Sequence, residues 1–205
     1  DTLSAPKGKI FLNRPLKARS ITGNNLESKS ELQAEELSLS GSLQLLGALN
    51  VQELNVKGSL QIEGPTTAEA IEIKGAARFG GDLKAKTCTF GSDLLLQGNT
   101  QVERIDSQGA IQAQGSLQAH TVIADNAKII LEKDAHLNLL RGHRISLKGN
   151  QNKIIAGRTY KEVLDRFNMK IKDPRSSSAG KKNTSIIKQF LKIKCPLKDA
   201  PKVLN

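Results

Sequence analysis

Between residues 36 and 124 the apolar side chains fall in pairs two residues apart, and the pairs recur at steps of six, six and five residues. One slot holds Leu37, Leu54, Ile71, Cys88, Ile105 and Val122, with Leu39, Val56, Ile73, Phe90, Ser107 and Ala124 two residues on. The next pair of slots holds Leu43, Leu60, Ala77, Leu94 and Ile111, then Leu45, Ile62, Phe79, Leu96 and Ala113. The third holds Leu49, Thr66, Leu83, Thr100 and Leu117, then Val51, Ala68, Ala85, Val102 and Ala119. A spacing of two is the period of a strand with one buried face, and it excludes a helix, whose apolar positions recur at three and four. The positions between, such as Ser38, Gln44, Asn55, Gln61, Glu72, Gln112 and Gln118, are polar and are expected to face solvent.

Two glycine ladders carry the same period. Gly41, Gly58, Gly75 and Gly109 are separated by multiples of 17 residues, with Ser92 in the vacant slot and Asn126 next in line. Gly47, Gly64, Gly81, Gly98 and Gly115 recur every 17 residues without a gap. Glycine serves where the backbone turns through a left-handed conformation or passes close to another backbone, so these ladders read as corners. Three short strands, each ending at a corner, make one coil, and identical slots stack along an axis about 4.8 Å per coil. The pattern predicts an all-β fold: a single-stranded, three-sided parallel β-helix, a solenoid of about 17 residues per coil and five to seven coils. Leu26, Leu32 and Asn24 fit an imperfect coil starting near Ala18; after Asn126 the phase slips to Ile129 and Leu131, then returns as Leu139, Ile145, Leu147 and Gly149.

The chain therefore divides into an N-terminal arm (1–17), a β-helix domain (18–155), a capping helix (156–172) and a basic linker and tail (173–205). Ile10-Phe11-Leu12 in the arm is placed to cap the solenoid or to lie across a neighbour, with Pro6 and Pro15 blunting a free edge. Thr159-Tyr160-Lys161-Glu162 has the form of a capping box, followed by Val163, Leu164, Phe167 and Ile171 at helical spacing. Pro174, three serines and Gly180 mark a linker. Beyond it, Ile186, Ile187, Phe190, Leu191 and Ile193 alternate with Lys188, Lys192 and Lys194. This segment reads as a basic amphipathic helix, as a further strand on the body, or as a solvated tail. With Lys181 and Lys182 it supplies the candidate contacts to a partner or an anionic membrane surface: Lys181, Lys182, Lys188, Phe190, Lys192 and Lys194.

Charge sharpens this division. The chain of 205 residues carries 31 Lys and Arg against 20 Asp and Glu. Residues 1–30 hold six basic and two acidic side chains, residues 31–124 six and eleven, and residues 125–205 nineteen and seven. No apolar run approaches the ~20 residues of a membrane-spanning helix, so membrane contact is expected to be peripheral. Aromatic residues are 3% of the chain, which removes the stacking platforms of nucleic-acid and sugar sites, and nucleic acid is not an expected partner. The carboxylates Glu53, Glu63, Glu69, Glu72, Asp82, Asp93, Glu103 and Asp106 are scattered over different coils rather than paired for catalysis. His120, His136 and His143 are equally dispersed, and Cys88 and Cys195 have no metal-ligand or redox spacing. Catalytic residues, metal, cofactor and small-molecule substrate are accordingly expected to be none.

The stretches Gly41-Ser42-Leu43-Gln44-Leu45-Leu46-Gly47, Gly58-Ser59-Leu60-Gln61-Ile62-Glu63-Gly64 and Gly109-Ala110-Ile111-Gln112-Ala113-Gln114-Gly115 resemble the paired-glycine coils of the bactofilins, bacterial polymer-forming cytoskeletal proteins. The resemblance covers residues 36–124. It implies a right-handed β-helix with unstructured tails that assembles end to end without nucleotide and recruits partners to the membrane. The long basic C-terminal region and the Asp1 start depart from that pattern. The expectation is a non-enzymatic scaffold, bacterial, cytoplasmic and membrane-associated, whose partners are its own copies or a larger assembly. The alternative is an exported envelope or surface protein, periplasmic or at the cell surface where Asp1 follows a removed signal peptide, built into an assembly or used in adhesion.

Overall fold

The computed structural model describes residues 2–157, and over that span the chain is an all-β parallel solenoid of about nine coils at about 17 residues per coil. Its strands run in chain order as β1 (Thr2–Leu12), β2 (Leu16–Lys17), β3 (Ser20–Ser28), β4 (Leu32–Leu39), β5 (Leu43–Leu45), β6 (Leu49–Val56), β7 (Leu60–Ile62), β8 (Thr66–Thr67) and β9 (Ala70–Ile73). They continue as β10 (Ala77–Phe79), β11 (Leu83–Phe90), β12 (Leu94–Leu96), β13 (Thr100–Ser107), β14 (Ile111–Ala113), β15 (Leu117–Leu131), β16 (Ala135–Leu147) and β17 (Lys153–Gly157). One ladder runs the whole length: Leu3, Ile21, Leu37, Leu54, Ile71, Cys88, Ile105, Val122, Leu140 and Gly157 are successive parallel register partners.

Every residue assigned above to the six inward slots between 37 and 124 is buried. These positions form one continuous apolar core from Ile10 to Leu147. Its largest side chains, Phe79 and Phe90, meet edge to face with ring centroids 6.2 Å apart. Glu53 and Asn55 are exposed and their equivalents along each strand are exposed or half-buried, so the alternation separates core from surface at each step.

The solenoid is longer than the five to seven coils that the spacing predicts, because it begins at Thr2 rather than near Ala18. The segment 1–17, set apart by the sequence as an arm, contributes β1, which pairs in parallel with β3, and β2, which pairs with β4. The reason it escapes the 17-residue period lies in one corner. From the inward residue before that corner to the one after it, the chain takes seven residues in Leu3–Ile10 and five in Ile21–Leu26. It takes six in each of the next five coils, then seven in Val122–Ile129 and five in Leu140–Ile145. A seven beside a five leaves Pro6-Lys7-Gly8 opposite Asn24 alone, and Asp125-Asn126-Ala127 opposite His143 alone, each a bulge in the ladder. Asn126 is therefore part of a bulge and not a further corner of the glycine series. The extra residue also makes Leu140, not Leu139, the partner of Val122; Leu139 is half-buried on the outer side. Ala156 and Gly157, where the expected capping helix (156–172) begins, belong instead to β17, extending the pairing with β16. The rest of that helix and the tail 173–205 lie outside the described residues, as do Lys181, Lys182, Lys188, Phe190, Lys192 and Lys194.

The glycine ladders are corners, but a left-handed backbone is not their reason, since none of these glycines has a positive φ. Close approach is. A Cβ on Gly64 would lie 2.3 Å from the carbonyl oxygen of Gly47, one on Gly98 2.4 Å from that of Gly81, and one on Gly58 2.5 Å from that of Gly41. Asx side chains close the same corners. Asn25 accepts from the Ser42 N–H at 2.8 Å, Asp82 from Asn99 at 2.8 Å, Asp93 from Ala110 at 2.8 Å and Asp134 from Gln151 at 2.9 Å, each one coil later. Backbone donors that the turning chain takes out of the ladder are satisfied in this way.

Few polar groups enter the core. The Ser107 hydroxyl reaches the Ser92 and Gly109 carbonyls at 3.0 and 3.1 Å. Thr66, stacked between Leu49 and Leu83, buries a hydroxyl with no hydrogen-bond partner. An unpartnered buried hydroxyl costs about 1–3 kcal/mol, and valine has nearly the same shape. Thr66→Val is expected to raise stability by about 1 kcal/mol in urea denaturation; an unchanged or lowered midpoint would show that the hydroxyl is satisfied.

Candidate interaction surfaces

The solenoid presents two kinds of surface, its flanks and its ends. On one flank the outward column Gln44, Gln61, Arg78, Leu95 and Gln112 borders the corner column Ser42, Ser59, Ala76, Asp93 and Ala110, forming an open groove of about 440 Å³. A side-chain network runs beside it. Gln61 donates to Glu63 at 2.8 Å, Arg78 to Gln97 at 3.1 Å and Gln97 to Gln114 at 3.2 Å, while Arg78 and Glu63 pair at 3.8 Å. Gly80 leaves room for the Glu63 carboxylate, since a Cβ there would lie 2.5 Å from its oxygen. The stacking of like positions every coil thus turns single exposed polar residues into a strip.

The carboxylates singled out by the sequence are not brought together; most of them serve local structure. Asp82 and Asp93 close corners, Glu69 pairs with Lys86 at 2.9 Å, and Asp106 pairs with Arg104 at 2.5 Å. The hydrogen bond from Lys86 to Glu69, and then the charge of Glu69, hold the Lys86 ammonium above its usual range. Asp106 does the same for the Arg104 guanidinium. These are exposed pairs of small worth individually. His120 in β15 and His136 and His143 in β16 are exposed, and among the described residues no three His, Cys, Asp or Glu side chains are grouped to hold a metal ion. Cys88 is 1% exposed between Ile71 and Ile105, and burial pushes its thiol up to about 12. A thiol held protonated at neutral pH is a packing group and a poor nucleophile.

The N-terminal end has a different character. Among the described residues β1 pairs on one side only, with β3, so its outer edge is a row of unpaired backbone groups. Lys9 reaches Glu27 at 2.6 Å and stands 4.4 Å over the Phe11 ring, which is 62% exposed. Thr22 donates to Ser4 at 3.0 Å across the same strand pair. Ser4 and Lys9 escape the sequence reading, which singles out Phe11 only within Ile10-Phe11-Leu12 as a cap or a contact to a neighbour. The signal that could have found them is the spacing of two in Leu3-Ala5 and Ile10-Leu12, which marks β1 as one more coil. Among the described residues no helix is long and apolar enough to cross a membrane. No protein-family model matches the chain, and no curated protein or solved structure matches it.

Proposed function

We propose that this chain is a non-enzymatic structural scaffold of the bactofilin kind, whose solenoid self-associates through its ends. Its basic C-terminal region binds an acidic partner or an anionic membrane surface. The observation that carries the reading is the parallel ladder from Leu3 to Gly157, whose first described strand has no partner along its outer edge among the described residues. A repeat that adds coils by edge pairing offers the same chemistry to another copy at its last strand. Rigidity and length are what such a body supplies, since its core is shared between neighbouring coils rather than closed around a pocket. Residues 158–205 contain 13 Lys and Arg against four Asp and Glu, a charge that favours anionic surfaces and weakens with salt.

Sedimentation velocity and negative-stain electron microscopy of the full-length protein test the reading. Elongated assemblies whose mass rises with concentration are expected. A monodisperse monomer across protein concentration and from low to moderate salt would overturn it.

A further inference from the structure

We propose that β1 is an exchangeable strand, and that the edge of β3 beneath it is a self-association surface that takes β1 of a second copy. The proposal rests on the scaffold reading and names the element that carries its association.

The argument begins with how lightly β1 is held. Of its eleven residues only Ile10 is fully buried, with Leu3, Ala5 and Leu12 half-buried against the core, and the ladder to β3 breaks across Pro6-Lys7-Gly8, where proline also lacks a donor. The row under it is complete, with Ile21, Gly23, Leu26 and Ser28 all buried. Edge elements with few fully buried residues open first, and an opened β1 leaves that row needing cover. Loss of β1 is therefore followed by capture of an equivalent strand.

The strand shown to fit is β1 itself. Eight register pairs join it to β3, together with the Thr22–Ser4 hydrogen bond and the Lys9–Glu27 ion pair. All of these contacts re-form unchanged when β1 comes from another copy. Exchange of an identical element costs little in contacts, so the hinge and the concentration decide its extent.

The hinge is Asn13-Arg14-Pro15, all three exposed. Proline at 15 drives Arg14 toward an extended backbone, which favours a straight path to a neighbour over the local bend, and short strained hinges invite exchange. The released piece ends there, because Leu16 pairs with Leu32, Lys17 with Gln33, and the Leu16 N–H donates to the Glu31 carbonyl at 3.1 Å. Lys7, Arg14 and Lys17 add positive charge to this end, where Lys9 and Arg19 pair with Glu27 and Glu35. Two such ends repel at low ionic strength, so exchange is expected to increase with salt.

The test is a disulfide between register partners in the full-length chain, Ser4→Cys with Thr22→Cys, in a Cys195→Ser background. Monomeric and associated fractions are separated, oxidised and run on a denaturing gel without reductant. The associated fraction of the double variant is expected to lose its monomer band to a covalent dimer that reductant restores. The monomeric fraction gives only an internally closed monomer, and neither Ser4→Cys nor Thr22→Cys alone gives a dimer, since the remaining Cys88 is buried. Pro15→Gly is expected to shift the population toward monomer. An associated fraction that yields only closed monomers, or covalent dimers from Ser4→Cys or Thr22→Cys alone, overturns strand exchange and leaves the scaffold reading standing. A chain with no associated fraction at any concentration overturns both.

Discussion

Replacing Leu94 with lysine is expected to abolish the cooperative unfolding transition at room temperature, whereas replacing Leu95 with lysine is expected to leave it nearly unchanged. Leu94 is 1% exposed and stacked between Ala77 and Ile111, three coils deep in one ladder. Removing its side chain alone costs about 2–5 kcal/mol in a core of this kind. A lysine adds an unpaired charge with no carboxylate among the inward residues around it, a further penalty of several kcal/mol. Together these match the whole stability of an ordinary domain, about 5–15 kcal/mol. Leu95 is the next residue of β12 and points the other way, half-buried in the flank groove, where a lysine can extend its ammonium into water. The shift there is expected to stay within about 1 kcal/mol, as for other surface changes. Circular dichroism with urea titration reads both. The opposite ranking would mean that the inward and outward faces are exchanged, and with them every slot assignment along the chain.

That contrast shows what the amino-acid pattern makes legible. Where six residues turn the first corner, from Leu37–Leu43 to Ile105–Ile111, spacing alone identifies each buried position, because the same side-chain parity is repeated in register. Where seven follow or precede five, parity is lost for one coil. Leu139 and Leu140 are then both apolar candidates, and only pairing with Val122 selects Leu140. The same irregularity hides β1, whose Leu3-Ala5 and Ile10-Leu12 pairs have the right internal spacing but the wrong separation. The surfaces are less legible still. Whether a strand is an edge depends on what lies beside it, and within Thr2–Leu12 the local sign of a border is Pro6, which lacks a donor. The flank strip of Gln61, Glu63, Arg78, Gln97 and Gln114 exists because coils stack, and its members are unremarkable polar residues one at a time. Glycine is a third case: close approach and a positive φ both select it, and the sequence does not separate them.

Close approach makes its own prediction, and it is the second large effect. Gly98→Ala is expected to destabilise the protein by about 3 kcal/mol or more, the upper end of what overpacking costs, while Gly8→Ala is neutral or slightly stabilising. Neither glycine has a positive φ, so backbone strain at the substituted residue is the same for both and drops out of the comparison. At Gly98 a methyl group would sit 2.4 Å from both the carbonyl carbon and oxygen of Gly81 and 2.6 Å from the Asp82 nitrogen, all main-chain atoms that cannot rotate away. The two coils must part, straining the hydrogen bonds on either side of the corner, from Gln97 N–H to the Phe79 carbonyl and from Leu83 N–H to the Asn99 carbonyl, both 2.9 Å. Relief toward the next coil is also closed, since Gly115 already brings its α-carbon down onto the Gly98 carbonyl, within reach of a Cβ clash of its own. Gly8, in the bulge of β1, has nothing within 4 Å of a Cβ, so alanine there only removes freedom from the unfolded chain. Thermal denaturation of the two variants measures the difference. Equal midpoints would mean that the glycine columns mark something other than the spacing between coils, and the backbone contact that fixes the 17-residue period would have to lie elsewhere.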